Sequence, residues 1–353
     1  MKHYHLKVKE VIRETPETVT ISFWHPLNEV IKYEAGQFLT LLLPINGQVI
    51  RRSYSMSSSP HTDTTPAITI KRVIGGIASN WLNDHIKEGD FIEVLEAKGH
   101  FVVHPAVQNA RTIVLIGAGS GITPLMSIAK SILKIEPNSR VVLLYGSRNQ
   151  NTIIFKNKLQ ELCAEYGDRF SVLHSLSQPL NGWDGHIGHL NKSQVLKLLQ
   201  EVKNINTRSA LYYICGPDNM MEEAKQALAL LGVSDNNIFQ ESFTTKTHED
   251  EVSTTDEVDG SLKTQQITVL YEGSEYKFEV APHQTILEAA LELDIDLPYS
   301  CQAGMCTACM GKCVSGKIQL DEEDGLTKSE LEAGYILTCV AHPLTADVVI
   351  EIE

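Results

Sequence analysis

Residues 1–105 alternate short apolar, β-branched runs with polar turns. The clearest runs occupy residues 19–24, 38–43, 68–73 and 91–95. Each run has the length of an ordinary strand. Short strands that recur at this spacing between turn residues are typical of antiparallel sheets that close on themselves. The pattern therefore predicts an antiparallel β-barrel.

Residues 106–243 follow a different pattern, in which apolar strands alternate with helices. Strands are predicted at residues 111–117, 140–145, 169–176, 210–215 and 237–243, and helices at residues 122–133, 155–166, 193–202 and 219–231. This alternation is typical of α/β domains in which helices cover both faces of a sheet. It predicts a doubly wound parallel sheet.

Residues 244–264 contain almost no apolar side chains and carry many charges. Such a segment cannot bury a core, and its charges favour an extended chain, so it is expected to be a tether. In the region that follows, Leu287, Ala290 and Leu291 share one face of a predicted helix. The expected organisation is a barrel, an α/β domain, an acidic linker and a third domain, at residues 1–105, 106–243, 244–264 and 265–353.

The net charge of −14 is concentrated in the third domain. Residues 265–353 hold 16 acidic and 4 basic side chains, whereas residues 1–243 hold 22 acidic and 24 basic ones. This balance argues against nucleic acid as a partner. The acidic face either steers a basic protein partner or serves solubility alone.

Neither the amino terminus nor the most apolar run predicts membrane insertion. The amino terminus is charged throughout, unlike a signal peptide. The most apolar run, residues 112–133, is interrupted by Gly117, Gly119, Gly121 and Lys130, and is a poor membrane span. We therefore expect a soluble, cytoplasmic protein, and seven cysteines suit a reducing compartment.

Four cysteines have the spacing of metal ligands. Cys301, Cys306 and Cys309 follow a C-x4-C-x2-C pattern among small residues, and Cys339 comes later. This spacing matches plant-type [2Fe–2S] ligands. A zinc site would show two paired C-x2-C units, and free or disulfide-bonded thiols remain the simpler alternative. Cys313 fits no ligand position and is interpreted as a packed or incidental thiol.

The barrel region carries residues suited to a flavin. Arg52, Tyr54 and Ser55 offer a cation, an aromatic plate and a hydroxyl. Gly75 and Gly76 lie at the start of a helix predicted at residues 79–85, whose N–H groups can meet phosphate. Taken alone, R-x-Y-S is also compatible with an ordinary strand. A second element, Gly117-x-Gly119-x-Gly121 at the end of a strand, lies where a pyrophosphate is held at a helix start.

These motifs, in this order, resemble the ferredoxin-NADP reductase family. The resemblance implies that Tyr54 stacks on the isoalloxazine of FAD, Arg52 meets its pyrophosphate and Ser55 lies near N5. It also implies that Gly76 to Ser79 cap the phosphates. The full FAD set is Arg52, Ser53, Tyr54, Ser55, Thr69, Ile70, Lys71, Gly76, Ile77, Ala78 and Ser79.

The same resemblance covers the α/β domain. The family form G-x-G-x-G-x-x-P is present, with Gly216-Pro217 following Cys215 as a second signature. By resemblance, Cys215 lies beside the nicotinamide and Glu241 near the flavin edge, so Ser55, Cys215 and Glu241 are the expected catalytic residues. The dinucleotide set is Gly117, Gly119, Gly121, Thr123, Pro124, Ser147, Arg148, Cys215, Gly216 and Pro217.

The choice between NADPH and NADH depends on the end of the second predicted strand. NAD enzymes usually place a carboxylate there. This chain has Ser147 and Arg148, which can pair with a 2′-phosphate. The residues favour NADPH, although Arg148 is equally compatible with a solvent-facing side chain. His186, after Gly185, stands where relatives often have arginine.

Residues 265–353 resemble the plant-type ferredoxin domain, which implies a β-grasp fold. The whole order of domains resembles the reductase component of multicomponent oxygenases. This implies FAD, a [2Fe–2S] cluster held by Cys301, Cys306, Cys309 and Cys339, and NADPH or NADH as donor. It also implies an oxygenase component as acceptor, docking on the acidic ferredoxin domain. Two alternatives stay open: a reductase for another partner, such as a hybrid-cluster protein, and a redox-sensing module.

Overall fold

A computed structural model describes residues 2–27, 29–243, 263–282, 284–299, 302, 304, 306–321, 325–326 and 328–352. The chain divides into two compact units, residues 2–241 and residues 242–353. The predicted tether falls at residues 244–264, and its residues 244–262 lie outside the described residues. Each unit is described separately.

The first half of residues 2–241 is an antiparallel barrel, as predicted. Its strands are β1 His3–Thr15, β2 Thr18–Phe23, β3 Phe38–Ile45, β4 Gln48–Ser55, β5 Ala67–Lys71 and β6 Phe91–Leu95. They pair in the order β4-β3-β6-β1-β2-β5. A bridge between Met56 and Ile68 brings the two edge strands together.

One helix, α1 Ile77–His85, lies against the barrel strands. It supplies Ala78 and Leu82 to the barrel core. Alternate strand residues such as Val19, Ile21, Ile68 and Ile70 fill that core. The intervening residues of β2 and β5 point to the opposite side of their strands, where Thr20 and Thr69 are also buried.

The second half of residues 2–241 is a six-stranded parallel sheet. Its strands are β7 Thr112–Ala118, β8 Arg140–Ser147, β9 Phe170–Leu176, β10 His186–Ile187, β11 Leu211–Cys215 and β12 Ile238–Glu241. The order is β10-β9-β8-β7-β11-β12. Successive strands are added on one side of β7 up to β10 and on its other side from β11 onward, so the order of addition reverses between β7 and β11. Ligands bind at such a switch point, beyond the carboxyl ends of the strands.

Four helices cover this sheet: α2 Ile122–Ile135, α3 Lys156–Tyr166, α4 Lys192–Glu201 and α5 Asp218–Leu230. Residues of α2 and α3 belong to one hydrophobic cluster, and residues of α4 and α5 belong to another. The two clusters lie on opposite faces, since alternate residues of β7 and β8 contribute to each. The predicted doubly wound fold is confirmed.

The unit 242–353 contains a five-stranded mixed sheet in the order β14-β13-β19-β15-β17. These strands are β13 Gln265–Tyr271, β14 Ser274–Val280, β15 Met310–Ser315, β17 Tyr335–Leu337 and β19 Val349–Ile352. A smaller pair joins β16 Ile318–Leu320 to β18 Ala341–Pro343. The helices are α6 Ile286–Glu292 and α7 Lys328–Glu332.

Helix α6 begins with a capping box. Thr285 Oγ1 accepts from the Glu288 N–H at 3.2 Å, and Glu288 Oε2 accepts from the Thr285 N–H at 2.9 Å. These bonds satisfy two backbone donors that would otherwise lack partners. Helix and mixed sheet together give the predicted α+β, β-grasp class.

Among the described residues, no helix is both long and apolar enough to span a membrane.

Candidate functional site

The glycine-rich turn after β7 packs directly against the end of β11. Cys215 pairs with Gly117 in the parallel register. A Cβ atom on Gly121 would lie 2.0 Å from the Cys215 carbonyl oxygen and 2.8 Å from the Gly216 nitrogen. Only a residue without a side chain fits at Gly121, which explains the glycine pattern that the sequence shows.

The same turn leaves helix α2 open at its start. Among the described side chains, none caps the helix at Gly121. Thr123 Oγ1 donates to the Ser120 carbonyl at 2.9 Å, and the Tyr145 hydroxyl donates to the Gly119 carbonyl at 2.9 Å. The turn is therefore fixed, and the Ile122 N–H already donates to the Ser120 carbonyl. The helix dipole at this start suits a dinucleotide pyrophosphate.

Pro217, after Gly216, is the N-cap of helix α5 Asp218–Leu230. A Cβ atom on Gly216 would lie 2.5 Å from the Met220 methyl carbon and 3.1 Å from the Ala118 nitrogen. The Cys215-Gly216-Pro217 segment thus lies beside the glycine-rich turn. The sequence-predicted dinucleotide residues of both motifs come together at one edge of the sheet.

Ser55, Cys215 and Glu241 converge at the junction of the barrel and the parallel sheet. The Ser55 hydroxyl at the end of β4 donates to Glu241 Oε2 at 3.1 Å. Glu241 pairs with Cys215 in the register of β11 and β12. The structure therefore places the three sequence-predicted catalytic residues in one cluster, although they are far apart in the chain.

Burial sets the protonation of this cluster. It raises the pKa of the Glu241 carboxyl to about 8, and the Ser55 hydrogen bond only partly opposes the increase. Burial also raises the pKa of the Cys215 thiol, and the Glu241 charge adds to that effect. At neutral pH the carboxyl is mostly neutral and the thiol is protonated. Both groups can hold a proton at the junction.

Strand β4 presents the predicted flavin residues on both of its faces. Tyr54 packs on the barrel core, and burial raises the pKa of its hydroxyl. Arg52 is exposed, and its Nη1 donates to the Arg51 carbonyl at 2.7 Å. Ser53 Oγ lies 2.8 Å from Thr40 Oγ1 on β3. An aromatic surface and an accessible cation on one strand fit a flavin and its phosphates.

Helix α1 has an open start at Gly76, since none of the described side chains caps it. Ser79 Oγ accepts from the Val73 N–H at 3.1 Å and holds the preceding loop in place. A Cβ atom on Gly76 would lie 2.9 Å from this same Ser79 oxygen. Ala78 is buried and Ile77 is exposed. The loop and the uncapped helix fit the predicted phosphate site.

Strand β5 divides its predicted flavin residues between different environments. Ile70 is a core residue, and Thr69 Oγ1 lies 2.8 Å from the hydroxyls of both Ser57 and Thr20. Lys71 extends to the glycine-rich turn, with Nζ 3.4 Å from the Cβ position of Gly119. The sequence motifs had placed Lys71 only with the flavin.

Arg148 brings a second cation to the same region. It follows Ser147, the last residue of β8, and is exposed. Burial lowers the pKa of the Lys71 ammonium, and the Arg148 charge lowers it further. Two cations whose charges interact beside an open helix start create a positive potential that suits phosphate groups.

In the unit 242–353, two of the predicted cluster ligands lie together. Cys309 Sγ and Cys339 Sγ are 3.3 Å apart, and both side chains are buried. The Gly304 N–H donates to Cys339 Sγ at 3.3 Å. Thr338 Oγ1 donates to the Cys309 carbonyl at 3.1 Å and fixes the two cysteine segments to each other.

The other two predicted ligands are Cys301 and Cys306. Cys306 precedes the turn Thr307–Cys309, and Cys301 lies outside the described residues. Among the described residues no group of three metal-ligating side chains is assembled, and the structure brings together Cys309 and Cys339 of the predicted ligand set. Two close thiols with an N–H donor aimed at one of them suit a sulfur-ligated iron.

Cys313 has a different environment. It lies on β15, packs against the core of its unit, and its Sγ donates to the Ser315 carbonyl at 3.1 Å. Burial raises the pKa of this thiol. A protonated, packed thiol agrees with its interpretation as a residue outside the ligand set.

Comparisons with known proteins identify the same three parts. An oxidoreductase FAD-binding domain family matches residues 5–103, and an oxidoreductase NAD-binding domain family matches residues 115–226. A 2Fe-2S iron-sulfur cluster binding domain family matches residues 269–344. The predicted cofactors, FAD, a nicotinamide dinucleotide and a [2Fe–2S] cluster, are confirmed.

Curated relatives match along nearly the whole chain. A component of the 1,2-phenylacetyl-CoA epoxidase of Escherichia coli is 34% identical, over 99% of this chain and 97% of the relative. The ferredoxin reductase component of 3-ketosteroid-9-alpha-monooxygenase from Rhodococcus rhodochrous is 34% identical, over 98% and 96%. Both relatives are therefore similar to all three parts of the chain.

Solved structures share the fold. Phthalate dioxygenase reductase has a TM-score of 0.61 at 21% identity, over 99% of this chain and 98% of that chain. An intact type IV self-sufficient cytochrome P450 monooxygenase has a TM-score of 0.70 at 20% identity, over 99% and 41%. The architecture of barrel, parallel sheet and carboxy-terminal iron–sulfur domain is thus one seen in solved structures.

These findings show that the protein is an NAD(P)H-dependent oxidoreductase, which passes electrons by way of FAD to a [2Fe–2S] cluster. FAD, when bound, accepts the two electrons of a hydride and releases them singly, which a one-electron cluster requires. The helix starts at Gly76 and Gly121, the Tyr54 ring on β4 and the Cys309–Cys339 thiol pair are the groups that would hold these cofactors. The chain belongs to the ferredoxin-NADP reductase family, in its form with a carboxy-terminal plant-type [2Fe–2S] domain.

Proposed function

We propose that this reductase supplies electrons to an oxygenase component. The observation that carries the proposal is full-length similarity to reductase components of oxygenase systems. The relatives include those of an epoxidase and a steroid monooxygenase, and the glycine betaine monooxygenase reductase subunit of Pseudomonas aeruginosa. The acceptor is a protein with a one-electron metal centre, such as a di-iron or Rieske oxygenase.

Ser55, Glu241 and Cys215 form the proton-holding cluster of the reaction. The Ser55 hydroxyl points its hydrogen at Glu241, and the raised pKa of the Glu241 carboxyl keeps a proton there at neutral pH. Cys215 stays a neutral, compact side chain at the end of β11. We assign Ser55 and Glu241 to proton handling, and Cys215 to positioning of the nicotinamide.

The preferred donor is NADPH. Arg148 and Lys71 place two positive charges near the glycine-rich turn, and Ser147 adds a hydroxyl at the strand end. A 2′-phosphate gains charge-assisted hydrogen bonds from such groups. The acidic carboxylate that usually holds an unphosphorylated ribose is replaced by Ser147 and Arg148 at this strand end.

The oxygenase component docks on the acidic unit 265–353, whose 16 acidic and 4 basic side chains favour a basic partner face. Electrostatic steering accelerates such encounters and weakens with salt.

The test is to measure NADPH-dependent turnover of candidate oxygenase components purified with the full reductase, across a range of ionic strength. Partner-dependent turnover that falls with salt is expected. Turnover with none of the oxygenase components, together with rapid reduction of a non-oxygenase metalloprotein, would reject the proposal.

A further inference from the structure

Helix α2 has a buried polar face to which the proposed binding of dinucleotide, flavin and cluster assigns no role. Its residues from Ile122 to Leu133 are all buried. Ser127, Lys130 and Ser131 are therefore inside the protein, with exposed fractions of 0%, 8% and 0%. Their i, i+3, i+4 spacing puts them on one side of the helix. Buried polar groups require partners, since an unpaired one is costly.

The two serines bind the loop that follows strand β4. Ser127 Oγ donates to the Ser58 carbonyl at 2.6 Å. Ser131 Oγ lies 2.7 Å from Ser59 Oγ, and it also donates to the Ser127 carbonyl at 2.8 Å. Ser58 and Ser59 are buried as well. The contact is a direct hydrogen-bonded joint between the parallel-sheet half and the barrel half of one compact unit.

Lys130 adds an ion pair to this joint. Its Nζ lies 2.5 Å from Asp63 Oδ2, and the same oxygen accepts from the Ser59 N–H at 2.6 Å. The Lys130 side chain is 9% exposed and the Asp63 side chain 34%. Asp63 thus links the loop backbone to the helix. An apolar side chain at position 130 would fill the same space without requiring a partner.

The joint connects the two halves of the functional site. Gly121, in the turn assigned to the pyrophosphate, is the N-cap of helix α2, and Lys130 lies farther along the same helix. The loop that it grips begins directly after Ser55 and leads into β5, the strand of Thr69 and Lys71. One rigid helix therefore reaches from the dinucleotide turn to the loop between both predicted flavin strands.

We infer that Ser127, Lys130 and Ser131, with Ser58, Ser59 and Asp63, form a positioning joint that sets the dinucleotide turn relative to the Ser55 strand. This inference rests on the proposed roles of those two elements. A buried ion pair contributes little to stability compared with apolar replacements, whereas it can specify one geometry. Placement matters for hydride transfer, since an error of about 1 Å can cost about 100-fold in rate.

The decisive variant neutralises the ion pair while keeping its shape. In the full-length holoprotein, Lys130→Met is combined with Asp63→Asn, which retains an acceptor for the Ser59 N–H. We expect unchanged FAD and iron content and an unfolding midpoint equal to or above that of the parent. The rate of flavin reduction by NADPH should fall about tenfold or more, with little change in KM. The charge-transfer absorbance expected when NADP⁺ is added to the reduced protein should be weaker than in the parent.

Two further variants complete the test. Lys134→Met removes an exposed lysine from the same helix and should change none of these quantities. Ser131→Ala removes one hydroxyl, leaves the ion pair, and should slow flavin reduction about threefold. It also keeps the proposal testable if the double variant does not fold.

The proposal is overturned if both joint variants reduce flavin at the parent rate with the parent NADP⁺ absorbance. It is also overturned if the rate falls only in proportion to lost FAD or lost stability. Failure of the proposed function can be distinguished from failure of the joint proposal. In that case the parent protein itself would lack NADPH-driven flavin reduction or would reduce no oxygenase component.

Discussion

The proposed dinucleotide turn and the proposed cluster segment differ in what their ligands would require. At the turn, the proposed binding depends on the absence of a side chain, because a Cβ atom on Gly121 would lie 2.0 Å from the Cys215 carbonyl oxygen. At the cluster segment, the proposed binding depends on the presence of sulfur, with Cys309 and Cys339 3.3 Å apart. The first site would use the backbone at a helix start, and the second would use side-chain ligands.

The two sites are therefore vulnerable to different substitutions. A change of one atom at the cluster removes a ligand and leaves the surrounding backbone intact. A change of one methyl group at the turn removes no ligand but displaces the backbone that forms the site. The two kinds of damage should appear on different steps, which makes the electron path separable by mutation.

The largest effect is expected from Cys339→Ser. Losing a buried sulfur ligand should abolish stable cluster binding, since metal sites depend strongly on ligand identity. Iron content and cluster absorbance should be lost while FAD content and NADPH-driven flavin reduction persist. The matched control is Cys313→Ser, which alters a thiol that donates to the Ser315 carbonyl and should retain iron. Iron loss in Cys313→Ser with retention in Cys339→Ser would reverse the ligand assignment.

Gly121→Ala should give the next largest effect, on the other site. The added methyl group must displace the Cys215–Gly216 segment, so nicotinamide placement is lost and flavin reduction by NADPH should slow about 100-fold. Cluster content should be unchanged. Stopped-flow absorbance measures the rate, and Ser120→Ala in the same turn is the control. A Gly121→Ala protein with the parent rate would show that the tight turn is not required.

Glu241→Gln should change the pH dependence of stability. Because the pKa of the Glu241 carboxyl is raised to about 8, the folded state favours its neutral form. Stability from this group is fully present below the ordinary carboxyl pKa of 4.5 and is lost as pH rises from there to about 8. Glutamine cannot ionise, so the variant should lose less stability across that same interval.

Urea unfolding of the holoprotein at several pH values measures this effect, with the exposed Glu161→Gln as control. Identical pH dependence in the parent and Glu241→Gln would contradict burial of a neutral carboxyl at the junction.

Arg148→Ala should have the smallest effect and should separate the two donors. Loss of one charge-assisted hydrogen bond to a 2′-phosphate should lower kcat/KM for NADPH about tenfold. The value for NADH should change little, because NADH lacks that phosphate. Steady-state kinetics with both donors give the ratio. Equal losses for NADPH and NADH would assign Arg148 to a part of the dinucleotide that both share.

Sequence patterns predicted the elements that carry local signals. The cysteine spacing, the glycine-rich turn and the alternating strands and helices all depend on neighbouring residues. Strand β1 His3–Thr15 was not predicted, because it is rich in charge and only Leu6 and Val8 among its apolar residues are fully buried. Backbone pairing with β2 and β6 stabilises it as a strand, and its own sequence does not reveal those partners.

Contacts between distant segments were beyond sequence reasoning. Lys71 reaches the turn at Gly119, and Lys130 pairs with Asp63, although neither pair shares a local motif. One usable signal existed, since Ser127, Lys130 and Ser131 interrupt the largely apolar and buried stretch from Ile122 to Leu133. Polar residues at helical spacing in a buried stretch of helix predict a polar partner surface, although not its identity.

The most direct test of the electron path is anaerobic mixing of the purified holoprotein with NADPH while flavin and cluster absorbance are recorded together. We expect flavin absorbance to fall first and cluster absorbance to fall afterwards within the same turnover. In the Cys339→Ser protein only the flavin change should remain. Bleaching of the flavin in the parent protein while the cluster stays oxidised would contradict electron transfer from FAD to the cluster.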